Sequence, residues 1–71
     1  MREYYVTIYP ITVMGRTAVR TISADSAASA ILEASPAATI THRRKRSQVL
    51  WEAAEGHTAS YEYHAVEVAL A

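Results

Sequence analysis

A change of periodicity at residue 24 constrains the fold of this chain most strongly. Before it, residues 3–13 (EYYVTIYPITV) and 17–23 (TAVRTIS) are rich in β-branched and aromatic residues and favour strands. After it, the stretch ADSAASAILEAS repeats its apolar residues at helical spacing. The sequence therefore predicts two strands followed by a helix, and Gly15 fits a tight turn between the strands.

The predicted helix has recognisable ends. Asp25 or Ser26 can accept hydrogen bonds from the first backbone N–H groups, and Pro36 ends the helix because the residue before a proline is pushed out of helical geometry. Pro10 constrains the first strand, because proline donates no hydrogen bond to a strand ladder. We therefore expect the first strand to lie at a sheet edge or to contain a bulge at Pro10.

The second half of the chain leaves two alternatives open. Residues 37–46 (AATITHRRKR) favour a strand because β-branched residues are the poorer helix formers, although Ser35 and Pro36 could also start a second helix. Residues 48–55 (QVLWEAAE) favour a short helix capped by Ser47 and stopped by Gly56. A strand paired with the C-terminal segment is the alternative for that stretch.

Residues 59–70 (ASYEYHAVEVAL) predict a long final strand. Alternation puts Val66, Val68 and Leu70 on the face expected to meet the core, with Tyr61, Tyr63 and Glu67 on the other. Together the elements predict a single α+β domain over residues 1–71. It consists of a small antiparallel sheet with one main helix packed on one face.

The apolar residues supply only a thin core. They make up 51% of the 71 residues, but 14 of them are Ala, only 14 are Val, Ile or Leu, and there is no Phe. Small domains usually gain stability from disulfides, a metal or a partner subunit, and a chain without cysteine forms no disulfide. We therefore expect a homodimer.

The charges are segregated although the net charge is zero. Residues 34–51 contain four cations and no acid, and residues 52–71 contain four glutamates and no Lys or Arg. Adjacent cations can neutralise nucleic-acid phosphates, pair with an acidic protein surface, or simply keep a loop solvated. We name the four cations the basic segment: Arg43, Arg44, Lys45 and Arg46.

All five tyrosines fall in predicted strands. Exposed strand aromatics can stack on unpaired bases, bury area at a protein interface, or form ordinary sheet surface. Tyr61 and Tyr63 join the basic segment as candidate nucleic-acid or partner contacts. Trp51, Tyr5 and Tyr9 are the candidate interface residues.

No motif indicates catalysis. None of the serines lies in a nucleophile elbow or beside a lysine, and two glycines are too few for a phosphate-binding loop. Glu62 and His64 share a strand face, but two ligands do not make a metal site. We expect no enzyme activity, cofactor, metal or small-molecule substrate.

The start of the sequence has an acid and interspersed Thr and Tyr where a signal peptide is apolar, so we expect a cytoplasmic protein without a membrane span.

The order YYVTIYPITV, turn, TAVRTI and SADSAASAILEASP resembles small accessory proteins encoded by filamentous bacteriophages and related mobile elements. The resemblance covers residues 3–46 and assigns no functional residue. It implies a phage or prophage setting in the cytoplasm of a bacterial host, with roles such as regulation, single-strand handling or interference with host defence. Our expectation is a non-enzymatic, oligomeric protein that contacts nucleic acid through the basic segment. The alternative is a module or inhibitor that docks on a host or defence protein.

Overall fold

Five strands and one helix form the chain in the computed structural model, which describes residues 1–12, 15–46 and 51–68. Their order along the chain is β1 (Arg2–Pro10), β2 (Ala18–Ala24), α1 (Ala27–Ala34), β3 (Thr39–Arg46), β4 (Trp51–His57) and β5 (Tyr61–Glu67). The predicted α+β fold is therefore confirmed, with one sheet and one helix in the part of the chain described.

The strands form one antiparallel sheet in the order β2-β1-β5-β4-β3. β1, β5 and β4 occupy the interior of the sheet, and β2 and β3 are its two edges. α1 connects the edges by crossing one face of the sheet, where it contacts all five strands. The other face has no secondary-structure element over it within the described residues.

The ends of α1 follow the sequence prediction. The Ser26 side chain accepts from the Ser29 backbone N–H at 3.1 Å, and the helix stops at Ala34, two residues before Pro36. Its buried residues are mostly alanines, which let the helix approach the sheet closely. Directly beneath it, a Cβ added to Gly56 would lie 3.2 Å from a methyl carbon of Ile31. Small residues on both sides therefore set the spacing between helix and sheet.

The core lies between α1 and the sheet. Its fully buried large side chains are Tyr4, Val6 and Ile31, and alanines make up most of the remainder. The sequence expectation of an alanine-rich interior agrees with this arrangement. Ile8, Ala34 and Ile40 pack against the margin of the core.

The prediction of a helix over residues 48–55 is wrong where the structure describes it. Residues 51–57 form β4, which pairs with β3 on one side and β5 on the other. Pairing on both sides outweighs the helix propensity of its Ala and Glu residues. The strand predicted within residues 37–46 is confirmed as β3. Residues 47–50, with the proposed cap Ser47, lie outside the described residues.

Expectations about β1 and β5 are also corrected. β1 is an interior strand, and Pro10 stands at its last position, beyond the final β1–β2 pair Ile8–Ala18, so its missing N–H costs no bond to β2. A Cβ on Gly15 would collide with the Pro10 ring, so this position needs a residue without a side chain. In β5 the core face is that of Tyr63 and Ala65, and Val66 is exposed. Leu70 lies outside the described residues.

Candidate binding face

The sheet face away from α1 is the largest exposed feature of the fold. Alternation along the strands puts thirteen described residues of β1, β2, β4 and β5 on it, opposite the buried positions. We call this surface the open face: Glu3, Tyr5, Thr7, Tyr9, Val19, Thr21, Ser23, Ala53, Glu55, His57, Glu62, His64 and Val66.

Aromatic and apolar side chains gather at the middle of the open face. Tyr5 is 49% exposed and pairs with Val66, which is 41% exposed. Tyr9 is 41% exposed, and its ring meets the His64 ring edge-on at a centroid distance of 4.9 Å. Rings on neighbouring interior strands therefore form an accessible aromatic patch.

Polar groups surround this patch. His64 Nδ1 lies 3.6 Å from Glu55 Oε1, and both side chains are half-exposed. In the sheet register Glu55 also opposes His42, and Glu62 lies between Tyr9 and His57. The open face thus carries glutamates and histidines beside its tyrosines.

The tyrosines predicted to make contacts lie in two different environments. Tyr5 and Tyr9 lie on the open face, as an interface role requires. Tyr63 is only 5% exposed and belongs to the core, so its predicted role as an accessible contact is corrected. Its burial follows from the position of α1, which covers that face of β5. Tyr61 remains 40% exposed, on the same side of the sheet as Tyr63 and with ring centroids 6.4 Å apart.

The basic segment forms most of edge strand β3. Arg43, Arg44, Lys45 and Arg46 pair in register with Ala54, Ala53, Glu52 and Trp51 of β4. The register shifts between Ile40 and His42, just before the segment begins. The four cations thus belong to a strand, rather than to the solvated loop that was one alternative. Trp51 is the first residue of β4, and its backbone stands opposite Arg46.

On the helix side, sequence reasoning missed a buried carboxylate. Glu52 is 8% exposed, and its Oε1 accepts from the Ala27 backbone N–H at 3.0 Å. Its Oε2 accepts from the Tyr4 hydroxyl at 3.1 Å and from Arg2 at 3.4 Å. Arg2 also lies 3.6 Å from Glu67 Oε1, a buried oxygen with no hydrogen-bond partner in the described part of the chain. The signal available in the sequence was that Glu52, Ala54 and Gly56 share one face if residues 51–57 form a strand.

This cluster changes the chemistry of Tyr4. Burial of the phenol, together with its hydrogen bond to the Glu52 carboxylate, raises the pKa of Tyr4 above 10.0. A neutral hydroxyl donates to the carboxylate, whereas a phenolate would repel it. The cluster joins β4 to the start of α1, with the exposed Arg2 side chain at its margin, and so holds the helix on the sheet. It is therefore a structural site, and the open face is the candidate functional one.

The described residues contain no group of three or more His, Cys, Asp or Glu arranged to hold a metal ion. The pair Glu62 and His64 stands on the open face, where His64 is engaged with Glu55 and Tyr9. Within residues 1–12, 15–46 and 51–68, no helix has the length and apolar character needed to span a membrane.

Comparison with known proteins adds no relative: no protein-family model, no curated protein and no solved structure matches this chain. Function must therefore be argued from the open face and the basic segment themselves.

Proposed function

We propose that this chain is a non-enzymatic protein that binds single-stranded nucleic acid, with bases on the open face and phosphates along β3. The observation that carries the proposal is the presence of two exposed tyrosines on the interior strand β1, on the sheet face that no described element covers. Sheets that recognise RNA use such aromatics to stack unpaired bases, which display their rings where a duplex hides them.

Tyr5 and Tyr9 supply the stacking surface in this proposal. Both stand on β1, four residues apart on the same face, so one strand presents two separate rings. The edge-on contact with His64 holds the Tyr9 ring in position before a ligand arrives. Stacking on such rings tolerates any base, so the expected binding has little sequence preference.

The basic segment supplies the contacts to phosphate. In the sheet order, β3 lies three strands from β1, a span of about 14 Å at ordinary strand spacing. A single strand that crosses the sheet from β1 to β3 can therefore stack on the tyrosines and meet the cations at open-face register positions, Arg44 opposite Ala53 and Arg46 opposite Trp51. Each phosphate neutralised releases counterions, which makes the affinity fall with salt.

Resemblance to phage accessory proteins suits this role, because mobile elements must handle single strands in the cytoplasm of a bacterial host. One observation favours a second candidate, a host or defence protein as the partner. Glu55 and Glu62 stand on the open face, where their negative charges would repel a polyanion. Tyrosines beside charges of both signs are common at protein interfaces.

The experiment is a titration of labelled single-stranded DNA and RNA oligonucleotides, followed by fluorescence anisotropy over a series of salt concentrations. The logarithm of affinity should fall linearly with that of salt, and each phosphate-contacting cation replaced by Ala should reduce the slope by about 0.7. Arg16→Ala is the matched control, because Arg16 lies in the β1–β2 connection at the opposite end of the sheet. Absence of binding at about 50 mM salt rejects the proposal.

Capture of host proteins on the immobilised chain, with and without nuclease, separates the two candidates. The nucleic-acid proposal requires that nuclease removes what is captured. Retention of one captured protein after nuclease, lost with Tyr5→Ala, supports the protein partner instead.

A further inference from the structure

The two edges of the sheet differ in a way that bears on self-association. β3 carries four consecutive cations and a register shift, and both features protect an edge strand from pairing with another chain. β2 has neither: it pairs with β1 in unbroken register over seven residues and contains one charge, Arg20, and no proline. Its outer side is therefore an unprotected template for another strand.

The hydrogen bonds of β1 identify which groups of β2 point outward. The Val68 N–H donates to the Glu3 carbonyl at 2.8 Å, so the backbone of Glu3 faces β5. Backbone direction alternates along a strand, so Tyr4 and its neighbours two residues away face β2 instead. Their partners in β2 therefore direct their backbone N–H and C=O groups inward, toward β1. The residues left with outward N–H and C=O groups are Val19, Thr21 and Ser23.

From these observations we propose that β2 pairs with β2 of a second copy of this chain, antiparallel about a two-fold axis at Thr21. The two sheets then join into one continuous sheet with a continuous open face. A two-fold contact of this kind uses the same edge of both copies and closes on itself. Pairing of β2 with β3 would leave free edges and propagate into a filament.

The register follows from overlap and charge. An axis at Thr21 overlaps all seven residues of β2, opposing Arg20 to Ile22 and Val19 to Ser23. An axis one residue earlier would bring Arg20 against Arg20, a destabilising like-charge pair. The axis at Thr21 also places Val19, which is 61% exposed in the isolated chain, beside the partner strand. The proposal stands whether or not the chain binds nucleic acid.

The test is the mass in solution, measured by light scattering and by sedimentation. We expect a species of twice the 7.8 kDa chain mass. Thr21→Pro should convert it to a folded monomer, because it removes an outward N–H that β1 does not use. Thr21→Val keeps that N–H and is the matched control, which should remain dimeric. Circular dichroism checks that each variant is folded.

Charge reversal at the axis keeps the proposal testable if Thr21→Pro fails to fold. Thr21→Lys and Thr21→Glu should each be monomeric alone, because the two-fold axis opposes like charges, and their mixture should recover the dimer mass. A wild-type chain that stays monomeric at all concentrations overturns the proposal. So does a dimer that persists unchanged in both charge variants.

Discussion

The carboxylate of Glu52 accepts a hydrogen bond from the backbone N–H of Ala27, with 3.0 Å between Oε1 and nitrogen. Glu52 belongs to β4 and Ala27 is the first residue of α1, so one buried side chain joins the helix to the sheet. N–H groups in the first turn lack intrahelical partners and carry the positive end of the helix dipole. A carboxylate at that position therefore stabilises the start of the helix.

Glu52→Ala should lower the free energy of unfolding by about 2–4 kcal/mol, because it leaves the Ala27 N–H and the Tyr4 hydroxyl buried without an acceptor. Urea denaturation followed by circular dichroism measures the change. Glu55→Ala is the matched control on the same strand: its carboxylate is half-exposed on the open face and should cost less than about 1 kcal/mol. Equal losses for the two variants would contradict the assigned role of Glu52.

The Tyr4 hydroxyl should make stability depend on alkaline pH. The folded state raises the pKa of Tyr4 above its unfolded value of 10.0. The stabilising contribution is therefore fully present below pH 10 and is lost as the pH rises through the folded-state pKa. Tyr4→Phe should cost about 1–3 kcal/mol at neutral pH and flatten the decline of unfolding free energy above pH 10. An unchanged alkaline decline in the variant would show that another group causes it.

Close approach of helix to sheet should make Gly56 intolerant of a side chain. A Cβ there would lie 3.0 Å from the Thr39 carbonyl oxygen and 3.2 Å from methyl carbons of Ile31 and Ile40. Gly56→Ala should therefore destabilise the fold by about 1–3 kcal/mol through overpacking. The control is Ala53→Ser, a small change on the open-face side of the same strand. Thermal unfolding of the two variants side by side decides the point, and a stabilised Gly56→Ala would contradict the close packing.

The exposed tyrosines provide a matched set for testing nucleic-acid binding. Tyr5→Ala and Tyr9→Ala should each weaken binding of a single-stranded oligonucleotide by about 1–3 kcal/mol if a base stacks on each ring. Tyr61→Ala removes a tyrosine of similar exposure from the other side of the sheet and should leave affinity unchanged. Anisotropy titrations at fixed salt measure all three. Equal losses of affinity in all three variants would show that the open face is not the binding site.

Local features of the sequence were sufficient for part of this fold. The N-terminal cap Ser26 and the stop before Pro36 depend on residues adjacent in the chain, and both agree with the structure. β4 could not be predicted in the same way, because its Ala and Glu residues favour a helix locally. Its strand conformation depends on pairing with β3 and β5, which are brought together only in the folded sheet.

The candidate site shows the same limit. Alternation indicates which tyrosines share a face, but it does not say which face the helix covers. The position of α1 buries Tyr4 and Tyr63 and leaves Tyr5 and Tyr9 exposed. The basic segment was evident in the sequence, but its position on an edge strand depends on the order of strands in the sheet.

Amide chemical-shift mapping during titration with a single-stranded oligonucleotide tests the central claim most directly. We expect the largest shifts at Tyr5, Tyr9 and His64 and along β3, with α1 (Ala27–Ala34) unchanged on the opposite side of the sheet. Shifts centred on α1, or no shifts at a salt concentration low enough for phosphate contacts to form, would contradict the claim that the open face and the basic segment bind nucleic acid.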